Sequence, residues 1–347
     1  MSTDTQKRRN SWTWKLPFLI LLVVGTIFII RKQTTTPYIK NSGMVFGTFY
    51  NITYQSNEDL QAEIDAELAK VDLSLSPFNE KSIITAVNNN QDVKVDEMFE
   101  EVFRTAMQVS KETNGDFDIT VSPLVNIWGF GFKHDLTPDS AKIDSLREFV
   151  GYEKVKLVNG KVEKKDPRIM LDCSSIAKGY GVDAVGKLLE RKGIRNFMVE
   201  IGGEVVTKGI SPRKEAWKIG ISKPIEDSLA VNTELQDIVT LTDEGMATSG
   251  NYRNFYYKDG KRFAHTINPH TGYPVQHSLL SATVISKSCT VADAYATSFM
   301  VMGYEKALEF LKSHDNLSVF FIYSDEKGDT KVYYSPSLKN RLTNEKE

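Results

Sequence analysis

Cysteine is nearly absent from this chain: Cys173 and Cys289 are the two in 347 residues. They form no CxxC pair and no Cys/His cluster at zinc spacing, which argues against a structural zinc. Two cysteines make no disulfide framework either; both read as small buried apolar residues, with one optional bridge in an oxidising compartment. An excess of one charge is also missing. Lys and Arg number 43 against 45 Asp and Glu, a formal net charge of -2. That excludes an overall basic field for holding nucleic acid and leaves only local basic pockets open. Histidine is scarce, with five in all. The chain has no internal repeat or low-complexity segment and no complete P-loop or GxGxxG fingerprint.

What is present is an ordinary globular balance, 41% hydrophobic and 25% charged, in a chain long enough for one large domain or two moderate ones. The exception is the N-terminus. Lys7, Arg8 and Arg9 precede an apolar run from Leu16 to Ile30, and Arg31 and Lys32 close it. As a helix the run spans only about 22 Å at 1.5 Å per residue, short of the roughly 20 residues a bilayer core needs. Trp12, Trp14 and a snorkelling Lys15 extend it into the interface. Residues 1–32 are expected to be a signal anchor. The alternative is a cleaved signal peptide, although no small-x-small site follows the run. The basic residues before it favour the body outside, on the periplasmic (extracytoplasmic) side of an inner membrane; Arg31 and Lys32 weaken that orientation.

Residues 33–42 read as a polar linker, 43–335 as the folded body and 336–347 as a polar tail. Alternation predicts a strand over 49–54. Helical spacing predicts helices over 57–71 and 95–113, the second stopped near Asn114-Gly115. Asn159-Gly160 marks a hairpin between 154–158 and 161–164. A short strand is expected at 168–171, leading into a helix over about 175–192 that Gly193 ends. Further strands are expected at 197–201 and near 218–222, 238–242, 282–285 and 319–323, with two helices after Cys289 broken at Gly303. Helices and strands mix without regular βα alternation, so the expected class is α+β, a single domain of mixed sheets and helices.

Four segments have residues suited to chemistry, and each has a plainer reading. The first is Leu171–Asp183, where a strand enters a helix whose first turn holds Ser, Lys and Gly. Free amides and the helix dipole suit a phosphate, and Lys178 adds a point charge. The plainer reading is a capped surface helix. The second is Ser288–Thr297. Asp293 and Thr297 share one helix face and offer hard oxygen ligands of the kind Mg²⁺ takes. The alternative is a cap, with Thr290 as N-cap and Asp293 inside a capping box. The third is His265–Pro274, a rigid polar loop in which His265 has the side chain suited to moving a proton near neutral pH; otherwise it is a turn made by Asn-Pro and Thr-Gly. The fourth runs Thr113–Val125 and then Trp128-Gly129-Phe130-Gly131, where aromatics beside glycines either hold a flat ring or fill core beside turns.

Taken in order, these segments resemble the ApbE family of FAD:protein FMN transferases. Met44-Val45-Phe46-Gly47-Thr48 looks like the family's opening signature, and Ser76-Pro77-Phe78-Asn79 with Ser82 and Asn88 like its next block. GDFDITVSPLVNIWGFG, IAKGYGVD, VEIGGEV, ATSGNY, HTINPHTGYP and ADAYAT complete the series. One departure is Cys173-Ser174-Ser175, where the family usually has a small run such as Leu-Gly-Gly. The resemblance implies FAD as substrate, gripped near Met44, Lys178, Asp183, Ser249, Gly250, Ile267 and Thr271. It implies Mg²⁺ on Asp293, Thr297 and the carbonyl of Ala177, and His265 as candidate catalytic base. The implied reaction moves FMN from FAD onto a Ser or Thr of an acceptor protein and releases AMP. Implied acceptors are subunits of membrane redox pumps and other extracytoplasmic flavoproteins. Two alternatives stay open: a Mg²⁺-dependent FAD pyrophosphatase giving FMN and AMP, and a non-catalytic FAD-binding protein at the membrane.

Overall fold

A computed structural model describes residues 12–33, 36–131, 138–225, 234–252, 255–258 and 261–343. The basic residues Lys7 to Arg9 and the end of the expected tail, 344–347, lie outside that range. The chain opens with helix α1 (Trp12–Gln33) and the hairpin β1 (Tyr38–Val45)–β2 (Thr48–Gln55). Helices α2 (Gln61–Leu75), α3 (Ile83–Asn88), α4 (Glu97–Glu112), α5 (Ser122–Ile127) and α6 (Ser140–Arg147) follow. Next come a small hairpin, β3 (Val155–Val158) and β4 (Lys161–Lys164), and helix α7 (Ala177–Arg191). Strands β5 (Phe197–Ile201), β6 (Glu204–Lys208), β7 (Trp217–Ser222), β8 (Leu235–Leu241) and β9 (Glu244–Gly250) precede the ribbon β10 (Phe255–Lys258)–β11 (Lys261–Ala264). The chain ends with β12 (Leu279–Ser286), α8 (Cys289–Met302), α9 (Tyr304–Leu311), β13 (Ser318–Ser324), β14 (Thr330–Tyr334) and β15 (Leu342–Thr343).

The α+β expectation matches this arrangement. An antiparallel sheet ordered β1-β2-β5-β6-β9-β12-β13-β14 carries α2, α4, α7 and α8 on one face. The smaller sheet β15-β8-β7 covers the other. Alternation in the strands sorts the two cores. Tyr50, Ile52, Tyr54, Val199 and Ala282 join the helices in the main core, while Val205, Met246, Ile285, Phe320 and Ile322 pack on Trp217, Ile219, Val239 and Leu241 of the smaller sheet. At 25 cal/mol per Å² or so, burial of both faces is the main favourable term.

Three expectations are corrected. Residues 38–42, read as linker, are the first half of β1, paired Tyr38 to Gln55 through Ser42 to Asn51. Residues 168–171 form no strand; Ile169 and Leu171 are buried in irregular backbone, which Asn88 pairs at both Leu171 groups, amide and carbonyl, at 2.7 and 2.9 Å. The expected tail packs on the body: Leu338 is buried, β15 pairs with β8, and Arg341 bonds the Thr240 carbonyl at 3.0 Å and pairs with Glu244. No helix among the described residues is long and apolar enough to cross a membrane.

Candidate active site

The N-terminal ends of α7 and α8 meet, and each is capped by a carboxylate from the other helix. Asp293, one turn into α8, accepts a hydrogen bond from the Gly179 amide at 2.9 Å. Asp183 of α7 accepts four from the start of α8: Ser288 Oγ at 2.7 Å, the Cys289 amide at 3.0 Å, and the amide and hydroxyl of Thr290 at 2.9 and 2.7 Å. Negative groups suit both helix starts, where amides lack intrahelical partners and the dipole is positive. The crossing is close because residue 179 is glycine. A Cβ there would stand 2.5 Å from the Cys289 carbonyl oxygen and 2.8 Å from Asp293 Cβ.

This geometry corrects two local readings. The N-cap of α8 is Ser288, not Thr290, and Asp293 is a buried residue reaching across to α7 rather than part of a capping box. The first turn of α7 also offers fewer free amides than expected. Ala177 N bonds Cys173 O at 2.8 Å, Tyr180 N bonds Ile176 O at 3.0 Å, and Gly179 N is taken by Asp293. What that turn presents to a phosphate is the Lys178 side chain.

Lys178 Nζ lies 2.7 Å from Glu204 Oε1; the lysine side chain is 32% exposed and the glutamate 2%. Burial works against the ammonium, but the Glu204 and Asp293 carboxylates outweigh it and hold the lysine well above its usual range. Burial pushes the Glu204 carboxyl up while Lys178 pulls it back. Asp293 is likewise pushed up by burial and pulled back by Lys178 and the Gly179 amide. Glu204 follows a turn at Gly202 and Gly203 with φ of +61° and +104°, a backbone that favours glycine. On the same face of α8 as Asp293, the Thr297 hydroxyl lies 3.2 Å from Ser249 Oγ of β9. Asp293 is thus tied through Gly179 to the turn that carries Ala177 and Lys178, and Thr297, on the same face of α8, is tied to Ser249. Among the described residues no three His, Cys, Asp or Glu side chains converge as a metal cluster.

Beside this group is a cavity of about 880 Å³, within the range of ligand sites. Its walls are the hairpin tip at Phe46 and Gly47, the loop Ser76–Lys81, and Ser174, Ala177 and Lys178 from the start of α7. Phe46 is held in place by the slim face of α7: its Cε2 would be 2.8 Å from a Cβ on Gly181.

His265 follows β11 and stands edge-on to Phe130, ring centres 6.4 Å apart. Phe130 packs on Tyr256 at 5.2 Å, and Trp128 on Phe263 at 5.3 Å. Trp128 Nε1 donates to the Gly272 carbonyl at 2.8 Å, tying the fourth segment to the third. Thr266 Oγ1 donates to Asn251 Oδ1 at 2.7 Å, which links the histidine loop to the end of β9 that carries Ser249.

Other expected residues take different places. Asp183 points at the start of α8, away from the cavity lining. Ile267 is core, packed with Trp128 and bridged to Pro274. Thr271 is an exposed loop residue whose hydroxyl accepts the Tyr273 amide at 3.3 Å. Met44 is 71% exposed on β1, with its neighbours Phe46 and Gly47, not itself, lining the cavity. Gly250 backs onto the Tyr252 ring, with Cδ1 2.8 Å from a would-be Cβ. Both cysteines are buried, as read from the sequence, and they are free, so the optional bridge is not formed. Glu204 was missed as a site residue. Its signal was a carboxylate placed directly after Gly-Gly at the head of an apolar strand.

The ApbE family profile matches residues 46–321. A FAD:protein FMN transferase of Haemophilus influenzae is 35% identical over 345 residues, covering 94% of this chain and 98% of that one. One of Vibrio cholerae is 37% identical over 335 residues, 93% and 98% of the two chains. Among solved structures, the flavin transferase ApbE of Vibrio cholerae superposes with a TM-score of 0.80 at 36% identity, covering 88% of this chain and 99% of that one.

Proposed function

The chain belongs to the ApbE family, and we infer from this that it is a FAD:protein FMN transferase whose acceptor is a Ser or Thr hydroxyl of another protein. The observation that carries the reading is the junction of α7 and α8: Asp293, one turn from Thr297 on α8, bonds Gly179 next to Ala177 and Lys178, and these two line the cavity of about 880 Å³. The acceptor oxygen attacks the FMN phosphorus of FAD; the bond from that phosphorus to the bridging oxygen breaks, and AMP leaves with that oxygen. A protein hydroxyl has a high pKa, so its proton must pass to a base as it attacks. His265 has the chemistry and, through Thr266 and Asn251, a fixed relation to the end of β9. Lys178 sets an ammonium against the pyrophosphate oxygens as their charge shifts toward the leaving group. Water must be kept from competing with the hydroxyl, or FAD is simply hydrolysed.

Mg²⁺ fits the donor set. Asp293 and Thr297 are hard oxygen ligands one turn apart on α8, Ala177 begins the helix that crosses them, and Glu204 Oε2 beside them is buried without a hydrogen-bond partner. Asp293, Thr297 and the Ala177 carbonyl would hold the ion. Held by these residues, a Mg²⁺ ion would supply Lewis acidity to the pyrophosphate and charge stabilisation to the AMP leaving group.

The same reading places the body on the extracytoplasmic side, tethered by residues 1–32. Support comes from the apolar run itself and from Leu16, Phe18, Leu19 and Leu21, all more than half exposed on α1. Incubation with FAD, Mg²⁺ and a redox-pump subunit tests the reaction. AMP together with protein-bound flavin is expected. AMP with free FMN makes the protein a pyrophosphatase, and neither product makes it a binding protein.

A further inference from the structure

Lys178 lines the cavity and also interacts with two buried carboxylates. Its ion pair is with Glu204 at 2.7 Å. Asp293 acts on the same ammonium, and its Oδ2 is anchored 2.9 Å from the amide of the very next residue, Gly179. Lys178 thus stands beside the carboxylate assigned to the metal, on a side chain long and flexible enough to fold onto it. An ammonium paired with Asp293 would be a competing cation on a metal ligand. Glu204 is 2% exposed, on a strand head fixed by the Gly202-Gly203 turn and by β5 and β9. Its Oε2 has no hydrogen-bond partner, and its ion pair is with Lys178.

We propose that Glu204 is a positioning residue that holds the Lys178 ammonium off Asp293, so that Asp293 stays available to the divalent cation while the lysine faces the pyrophosphate. The proposal rests on the metal reading given above. Two rival accounts differ from it. Glu204 can act as plain negative charge that attracts any cation, or as a structural ion pair with no bearing on the metal.

The test is Mn²⁺ binding, followed by electron paramagnetic resonance in the absence of FAD, for wild type, Glu204→Gln, Lys178→Met, the double variant and Asp293→Ala. The expected result is that Glu204→Gln weakens Mn²⁺ at least 10-fold, whereas in the Lys178→Met background the same change alters it less than 3-fold, because no ammonium remains to block Asp293. Glu204→Asp, which keeps the charge, should recover most of the affinity. An equal loss in both backgrounds overturns the proposal in favour of plain charge. Unchanged Mn²⁺ affinity in Glu204→Gln overturns it in favour of a structural pair, and a melting curve separates that case from unfolding. If wild type and Asp293→Ala bind Mn²⁺ equally, the metal reading itself fails and takes the proposal with it; if they differ while Glu204→Gln matches wild type, only the proposal fails.

Discussion

Asp183→Ala separates two roles for a residue expected at FAD and found at a helix start. The carboxylate takes two backbone amides and two hydroxyls from Ser288, Cys289 and Thr290, at 2.7 to 3.0 Å. Hydrogen bonds to a charged group contribute about 1.5–3 kcal/mol each, less where water can take over. Asp183 is half-buried, and the two hydroxyls can find other partners. The two amides and the lost charge at the dipole therefore set the scale, a loss of about 4 kcal/mol. That is a large part of a typical stability of 5–15 kcal/mol or so, and lowers the Tm by roughly 10 °C. The start of α8 also loses its anchor, four residues before Asp293, so transfer should fall even where the protein stays folded. FAD affinity, measured by quenching of flavin fluorescence well below the Tm, should stay within about 3-fold of wild type, a change under 1 kcal/mol. An unchanged melting curve with FAD affinity lowered 10-fold or more would refute this reasoning and return Asp183 to the FAD site.

Three further outcomes are expected. His265→Ala should bind FAD normally and transfer FMN about 10²-fold more slowly, the scale of a lost general base; single-turnover transfer at saturating FAD measures this, and unchanged turnover removes His265 from the chemistry. Asp118 is a pH-dependent term in stability. Burial pushes its carboxyl up to about 6 against the pull of Thr120 and the Tyr152 amide. The folded state therefore holds this proton more tightly than the unfolded chain, so stability falls as pH rises from about 4 to about 6 and is level beyond, by roughly 3 kcal/mol. Asp118→Asn should remove that slope from urea unfolding compared at pH 4 and pH 6.5, and an identical slope in the variant contradicts the assignment. A body beginning at Thr36 keeps the Gln55 bond to the Thr36 carbonyl at 2.9 Å and all of β1; it should be soluble and transfer FMN in vitro. One beginning at Gly43, the boundary read from the sequence, loses the pairing of Tyr38 through Ser42 and should melt lower by roughly 5 °C or more.

The sequence determined what depends on local spacing and on residue chemistry. Asp293 and Thr297 share a face because they are four apart in a helix, and that face is where Thr297 meets Ser249. The Asn159-Gly160 turn, the break at Gly303 and the stop near Asn114 follow from backbone preferences that a few residues express by themselves. Burial of both cysteines was legible from their number and spacing. The tertiary structure alone decided which groups meet. Asp183 and Asp293 are both carboxylates on helices, yet only the crossing of α7 over α8 makes each the cap of the other. Strand β1 carries the polar residues of a linker and becomes a strand because β2 supplies its hydrogen bonds. Residues 168–171 have the composition of a strand and remain irregular: Asn88, 83 residues away in sequence, takes both Leu171 backbone groups, and Asp166 and Lys164 take those of Ile169. Glu204 illustrates the same limit. In sequence it is one carboxylate after two glycines, and its pairing with Lys178 depends on a turn, a strand order and a helix crossing that no local pattern encodes.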